Sequence, residues 1–150
     1  MGVTVRSMTA KELFSLRDWS AFEAEYMALA YPEMKGPGVL QDYYERVTAP
    51  GMPGRLLVAM NNWSIVGVAC FFVERSPHTG VKTALVDALY TSNDAPEGAG
   101  ARLLLALRRA ARAAGAKVVL FSAQTGSRFD NMLAGLKGAR HAQNIYILKA

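Results

Sequence analysis

Apolar positions change their spacing several times along this chain, and each change marks an element. Val3 to Arg6, VTVR, alternates weakly and predicts a short first strand. Thr9 followed by Glu12 fits a capping box, so a helix is expected through TAKELFSLRDWSAFEAEYMALA, Thr9 to Ala30. Pro32, Gly36, Pro37 and Gly38 break it. A second, shorter helix is expected from Val39 to Val47, and APGMPG, Ala49 to Gly54, reads as a loop.

Beyond Gly54 the spacing falls towards two. RLLVAM (Arg55 to Met60), SIVGVACFFVE (Ser64 to Glu74) and VKTALVDALY (Val81 to Tyr90) read as strands, joined by the turns NNW and RSPHTG. Helical spacing then returns. Leu103, Leu104, Leu107, Ala110, Ala111 and Ala114 form an apolar stripe, with Arg102, Arg109 and Arg112 on the other side and Gly115 as a stop. AKVVLFSA, Ala116 to Ala123, is a continuous apolar run of the kind buried on both faces. A short helix over RFDNMLAGLK and a closing strand over NIYILK, Asn144 to Lys149, complete the pattern. The Val81–Tyr90 strand, the Arg-rich helix and the strand after it make one right-handed crossover with parallel strands. The order predicts one α/β domain over residues 1–150: a mixed, mostly antiparallel sheet flanked by helices, with a central β-α-β crossover.

Length and composition fit that reading. A chain of 150 residues, 51% hydrophobic, suits one domain with a real core. No apolar run reaches the roughly 18 to 20 residues of a membrane span. MGVTVRSMTAKEL lacks the apolar stretch of a secretory signal, which points to the cytoplasm. The net charge of +5 permits an anionic ligand or a nucleic acid. The arginines line a helix instead of interleaving with aromatics, which argues against nucleic acid. Nothing in the composition opposes a homodimer. Cys70 is the only cysteine and lies in IVGVACFFV, so a buried structural thiol is expected. His78 and His141 are too far from it and from each other for a metal-site spacing.

Candidate chemistry concentrates around YTSNDAPEGAGARLL. Gly98 and Gly100 open the Arg-rich helix just after a strand. One reading is a turn and a helix start. A dinucleotide fingerprint fails, because Leu103 stands where the third glycine belongs and the loop from Thr91 to Glu97 is too long. A third reading is an anion site, in which small residues at Gly98, Ala99, Gly100 and Ala101 let a phosphate approach the helix N-terminal amides. Asp87 interrupts the apolar run TALVDALY. An acid there is unusual and suits either a general base or a solvent-facing ion pair. Glu74, beside Arg75, reads as a surface ion pair. Tyr90 and Tyr146 are spare hydroxyls.

The loop NDAPEGAGARLL resembles the acetyl-CoA loop of the GNAT (Gcn5-related N-acetyltransferase) superfamily, R/Q-x-x-G-x-G/A. The match runs over Ala95, Pro96, Glu97, Gly98, Ala99 and Gly100. Element order matches along nearly the whole chain. The tail MLAGLKGARHAQNIYILKA, with Leu136, Gly138 and Ala139, is similar to the family's closing helix and "LGF"-like turn, and to the tails of small phage-encoded members. The resemblance implies an N-acyltransferase that moves an acetyl group from acetyl-CoA directly to an amine.

It also implies site residues. Leu89, Tyr90 and Thr91 would give backbone contacts to the acyl donor. Gly98, Ala99, Gly100, Ala101 and Arg102 would hold its pyrophosphate, and Ser127 would add a hydrogen bond. Tyr31, Met34, Tyr43 and Tyr44 would line the acceptor pocket, and Asp87 would act as acid/base. Two departures stand out. Ala95 replaces the usual Arg or Gln, and Ala134 stands where many members place a general-acid Tyr. The second departure supports an alternative: a catalytically degenerate GNAT-fold binding module acting through CoA or protein contacts.

Overall fold

The computed structural model describes residues 2–150. Its elements are β1 (Thr4–Ser7), α1 (Ala10–Phe14), α2 (Trp19–Ala30), α3 (Gln41–Val47), β2 (Gly54–Asn61), β3 (Ser64–Arg75), β4 (Lys82–Thr91), α4 (Ala99–Ala113), β5 (Val118–Leu120) and α5 (Arg128–Ala134). The strands form one sheet in the order β1-β2-β3-β4-β5. The first three pairings are antiparallel. The last, β4 with β5, is the parallel pair of the crossover through α4. Among the described residues no helix is long and apolar enough to cross a membrane.

Each face of the sheet carries its own core. On one face Leu57, Ala59, Ala69, Phe71, Ala84 and Val86 pack against Leu103, Leu107 and Ala111 of α4 and Phe129 of α5. On the other, Leu56, Val58, Met60, Val68 and Cys70 pack against Leu13 of α1 and Trp19, Phe22 and Tyr26 of α2. The period-two alternation of β2 and β3 divides the apolar residues between the faces.

Two β-bulges reset that alternation. Met60 pairs with Ile65 while Ala59 pairs with Gly67, leaving Val66 as an extra residue in β3. Phe71 pairs with Val86 while Cys70 pairs with Ala88, leaving Asp87 as an extra residue in β4. Past each bulge the faces swap. Ala84 and Val86 belong to the α4 face. Ala88 and Tyr90, at positions of the same parity, pack on the α2 face.

Three expectations are corrected. The single helix from Thr9 to Ala30 is two helices. Its capping box is present, but α1 ends at Ser15. Asp18 then turns its carboxylate onto the Ile65 N–H at 2.8 Å, which redirects the chain into α2. The run Ala116–Ala123 is not buried on both faces. Only Val118–Leu120 pair, β5 is an edge strand, and Val118 and Leu120 are each 45% exposed. Finally, Asn144–Lys149 is not a strand here. Among the described residues it pairs with no strand, and Ile145, Tyr146, Ile147 and Leu148 are exposed. Its alternation predicts β structure only where an edge receives it.

Candidate active site

The parallel pairing between β4 and β5 is short. It covers Thr83, Ala84 and Leu85 opposite Val118, Val119 and Leu120. Beyond Leu85, β4 continues to Thr91 and stays paired with β3, as Ala69↔Leu89, Val68↔Tyr90 and Gly67↔Thr91. Its other edge, facing the line of β5, has no ladder partner over Val86–Thr91 among the described residues. That edge presents backbone N–H and C=O groups that can pair with an extended amide-containing ligand. Leu89, Tyr90 and Thr91 all lie on this segment.

The chain then turns through Ser92–Glu97 into α4. Gly98 is the N-cap, in the left-handed region at φ 83°, with no side-chain cap. A non-glycine residue would be strained there. The first turn holds no acid, and Ala99 is buried under the helix. Ala99 N–H bonds to the Pro96 carbonyl, and Arg102 N–H bonds to Gly98 as the first bond of the helix. The amides of Gly98, Gly100 and Ala101 therefore have no backbone partner at this end, and Gly100 and Ala101 are the helical ones. Helix geometry aims them outwards with the positive end of the dipole.

Gly100 has a further role. A Cβ there would lie 3.4 Å from Met132 Cε and 3.5 Å from Phe129 Cζ, so this glycine also lets α5 close onto α4. Arg102 points elsewhere. Its guanidinium donates to the Val3 carbonyl at 3.4 Å, towards β1. Ser127 is the N-cap of α5 and accepts from the Asp130 N–H at 3.1 Å.

On the α2 face, the β4 bulge turns Asp87 towards three tyrosines. The Tyr44 hydroxyl donates to the Asp87 carboxylate at 2.5 Å. The Tyr31 hydroxyl reaches the Asp87 carbonyl at 3.5 Å and lies 3.4 Å from the Tyr26 hydroxyl. Burial, followed by the bond to Asp87, pushes the Tyr44 phenol well above its ordinary range, so it remains a donor. Burial and Tyr31 do the same to Tyr26. Asp87 itself is exposed. Cys70, next to the bulge, has its thiol pushed up to about 12 by burial and by the Asp87 charge, so it is a neutral packing group.

The other expected wall residues lie further out. Tyr43 stacks edge-on to Tyr44 with centroids 5.2 Å apart and carries the Arg46 guanidinium at 5.9 Å. Met34 is exposed, beyond the turn that follows Tyr31. Glu74 is at the far end of β3 opposite Thr83, and Tyr146 is in the exposed tail; neither approaches Asp87 through any pairing.

The sequence reading missed Glu25, Tyr26 and Arg128. Glu25 Oε1 accepts from the Tyr90 hydroxyl and from the Asn93 N–H, both at 2.7 Å. A signal for it exists: Glu25 lies three residues after Phe22 and beside Tyr26, on the buried stripe of α2. An acid on such a stripe needs a partner.

No protein-family model and no curated protein matches the chain. Solved structures do. A ribosomal-protein-alanine N-acetyltransferase from Brucella melitensis biovar Abortus 2308 aligns with a TM-score of 0.70 at 17% identity, covering 99% of this chain and 100% of that one. An aminoglycoside acetyltransferase from an uncultured soil metagenomic sample, in complex with trehalose, aligns at 0.75 and 14% identity, covering 99% and 95%. A tetramutant of the BH1408 protein from Bacillus halodurans aligns at 0.73 and 15% identity, covering 98% and 99%.

Proposed function

We propose that this chain, which has the GNAT fold of the two named acetyltransferases, is an N-acyltransferase that moves an acetyl group from acetyl-CoA to an amine. One observation carries the reading: the unpaired edge of β4 runs directly into an uncapped, acid-free helix N-terminus. An extended pantetheine amide chain fits the edge, and a pyrophosphate fits the free amides of Gly100 and Ala101. On this reading Leu89, Tyr90 and Thr91 contact the donor through their backbone. Arg102 contributes only long-range charge, because its head is turned to Val3.

The acceptor side is the tyrosine-lined surface around Asp87, with Tyr31 and Tyr44 closest and Met34 and Tyr43 on the rim. Acetyl-CoA supplies an activated acyl group. The amine nitrogen forms its bond to the thioester carbon as the C–S bond breaks, and CoA departs as a thiolate. Asp87, directly or through a water, takes the proton that the amine must lose. Tyr44 orients that carboxylate from the acceptor side. Ala134 offers no hydroxyl to the leaving group, and solvent protonates a thiolate readily. Backbone donors along β4 stabilise the developing oxyanion.

A charge placed at Ala101 separates folding from binding. Ala101 is exposed in the first turn of α4, where an acid stabilises a helix but repels a phosphate. Ala101→Asp should hold or raise Tm while weakening acetyl-CoA binding about tenfold in calorimetric titration. Unchanged affinity overturns the placement. Asp87→Asn should leave acetyl-CoA affinity intact and lower kcat/KM for an accepting amine by roughly 100-fold. Wild-type turnover in Asp87→Asn makes Asp87 structural.

A further inference from the structure

The exit of β4 is held from three sides. From β3, the Val66 carbonyl accepts from the Ser92 N–H at 2.9 Å. From α5, the Arg128 guanidinium reaches the Ser92 carbonyl and Asn93 Oδ1, each at 3.4 Å. From α2, Glu25 accepts from Tyr90 and from the Asn93 N–H at 2.7 Å. The Glu25 bonds are the shortest of the set and involve a charged acceptor, so they are the strongest. They also bridge the two halves of the site. Tyr90 stacks on Phe22 and Tyr26 of α2 at 5.7 and 5.3 Å, and Tyr26 leads through Tyr31 to Asp87. Asn93 lies in the turn that delivers the chain to Gly98.

We infer that Glu25 is a positioning residue: it fixes the Tyr90–Asn93 turn to α2 and so aims the free amides of α4 from the acceptor wall. The inference rests on the acetyl-CoA reading above. Glu25 needs no contact with either substrate to act. Its half-buried carboxylate is tolerated on an apolar stripe because both donors satisfy it. When the tie is cut, the turn loses its anchor on α2 and keeps the Ser92 bond to Val66, its internal Ala95 N–H to Ser92 carbonyl bond and the longer Arg128 contacts. The amides of Gly100 and Ala101 then spend less time in the binding geometry, and donor affinity falls while the chemistry of bound donor is unchanged.

The test compares Glu25→Ala with Glu25→Gln, both checked for wild-type far-ultraviolet circular dichroism. Gln keeps an oxygen for the two donors and loses the charge. In Glu25→Ala the Asn93 amide should exchange with deuterium about tenfold faster, and the Kd for acetyl-CoA should rise by a similar factor. KM for acetyl-CoA should rise with it, while kcat at saturating donor stays within about twofold. Glu25→Gln should recover most of both effects. Unchanged exchange and unchanged affinity in Glu25→Ala overturn the inference. So does Glu25→Gln matching Glu25→Ala in affinity while protecting Asn93, since the charge would then be acting on the ligand itself. If wild type fails to bind acetyl-CoA, the functional reading falls, and the Asn93 exchange rates still decide whether Glu25 holds the turn.

Discussion

The two faces of the sheet are built from different materials. The α4 face is aliphatic and small-grained: Ala59, Ala69, Ala84, Ala99, Ala111, Leu103 and Leu107 surround one large ring, Phe71, with Phe129 at the margin. The α2 face is aromatic: Trp19, Phe22, Tyr26, Tyr31, Tyr44 and Tyr90 meet there, and the tyrosines end in a hydroxyl network. Small residues let backbones approach, which suits a surface where helix amides and a strand edge are the binding groups. Aromatic rings with polar tips bring area and hydrogen bonds together, which suits recognition of a variable partner. On the proposed reading the α4 face serves the donor and the α2 face the acceptor, and the sheet between them carries both.

The contrast can be broken by substitution. Phe71 is fully buried, so Phe71→Ala should cost about 3–5 kcal/mol in urea unfolding with an unchanged m-value. A loss under about 1 kcal/mol would mean that the α4 face repacks like a liquid. The alkaline limb of stability tests the other face. Cys70 has an ordinary value of 9.0 and is held at about 12 when folded. Above pH 9 the unfolded chain has released the proton that the folded chain still keeps, so stability falls as pH rises from about 9 towards 12. At pH about 10 the thiol alone removes on the order of 1 kcal/mol. Cys70→Ala should flatten that limb in denaturation measured across alkaline pH; an unaltered slope assigns it to the tyrosines.

Tyr44→Phe sharpens the comparison further. It keeps the ring and removes the donor to Asp87, so stability should change by about 1 kcal/mol or less, while kcat/KM for an accepting amine falls about tenfold. The reverse pattern would make Tyr44 a packing residue. The smallest effect on the site is expected from the cap of α1. Thr9→Ala removes the capping box of α1 and should lower stability by about 1 kcal/mol with no change in acetyl-CoA affinity.

Much of this is legible in the sequence. Periodicity located the three antiparallel strands, the crossover and α4, because each is long and binary in pattern. The capping box announced α1. What escaped reading depended on partners distant in sequence. TALVDALY reads as an apolar run that Asp87 interrupts, and only the pairing with β3 exposes the bulge. Glu25 sits on the apolar stripe of α2, but its partners Tyr90 and Asn93 come from 65 and 68 residues away. NIYILK has the composition of a strand, but composition cannot supply an edge. Arg102 has a charge suited to phosphates and a geometry suited to β1.

The bulge at Asp87 makes deletion a different experiment from substitution. Asp87 is the single residue that lets even-numbered positions serve one core before it and the opposite core after it. Replacing it changes one side chain. Removing it would close the bulge into regular alternation, so that Ala88 and Tyr90 keep the α2 face and Leu89 the α4 face, while the carboxylate among the tyrosines is lost. The proposed base is thus also the comma that parses the strand. Deleting Asp87 should therefore keep the fold and remove acceptor turnover, whereas inserting a further residue beside it should reverse Ala88 to Thr91 and disrupt both cores.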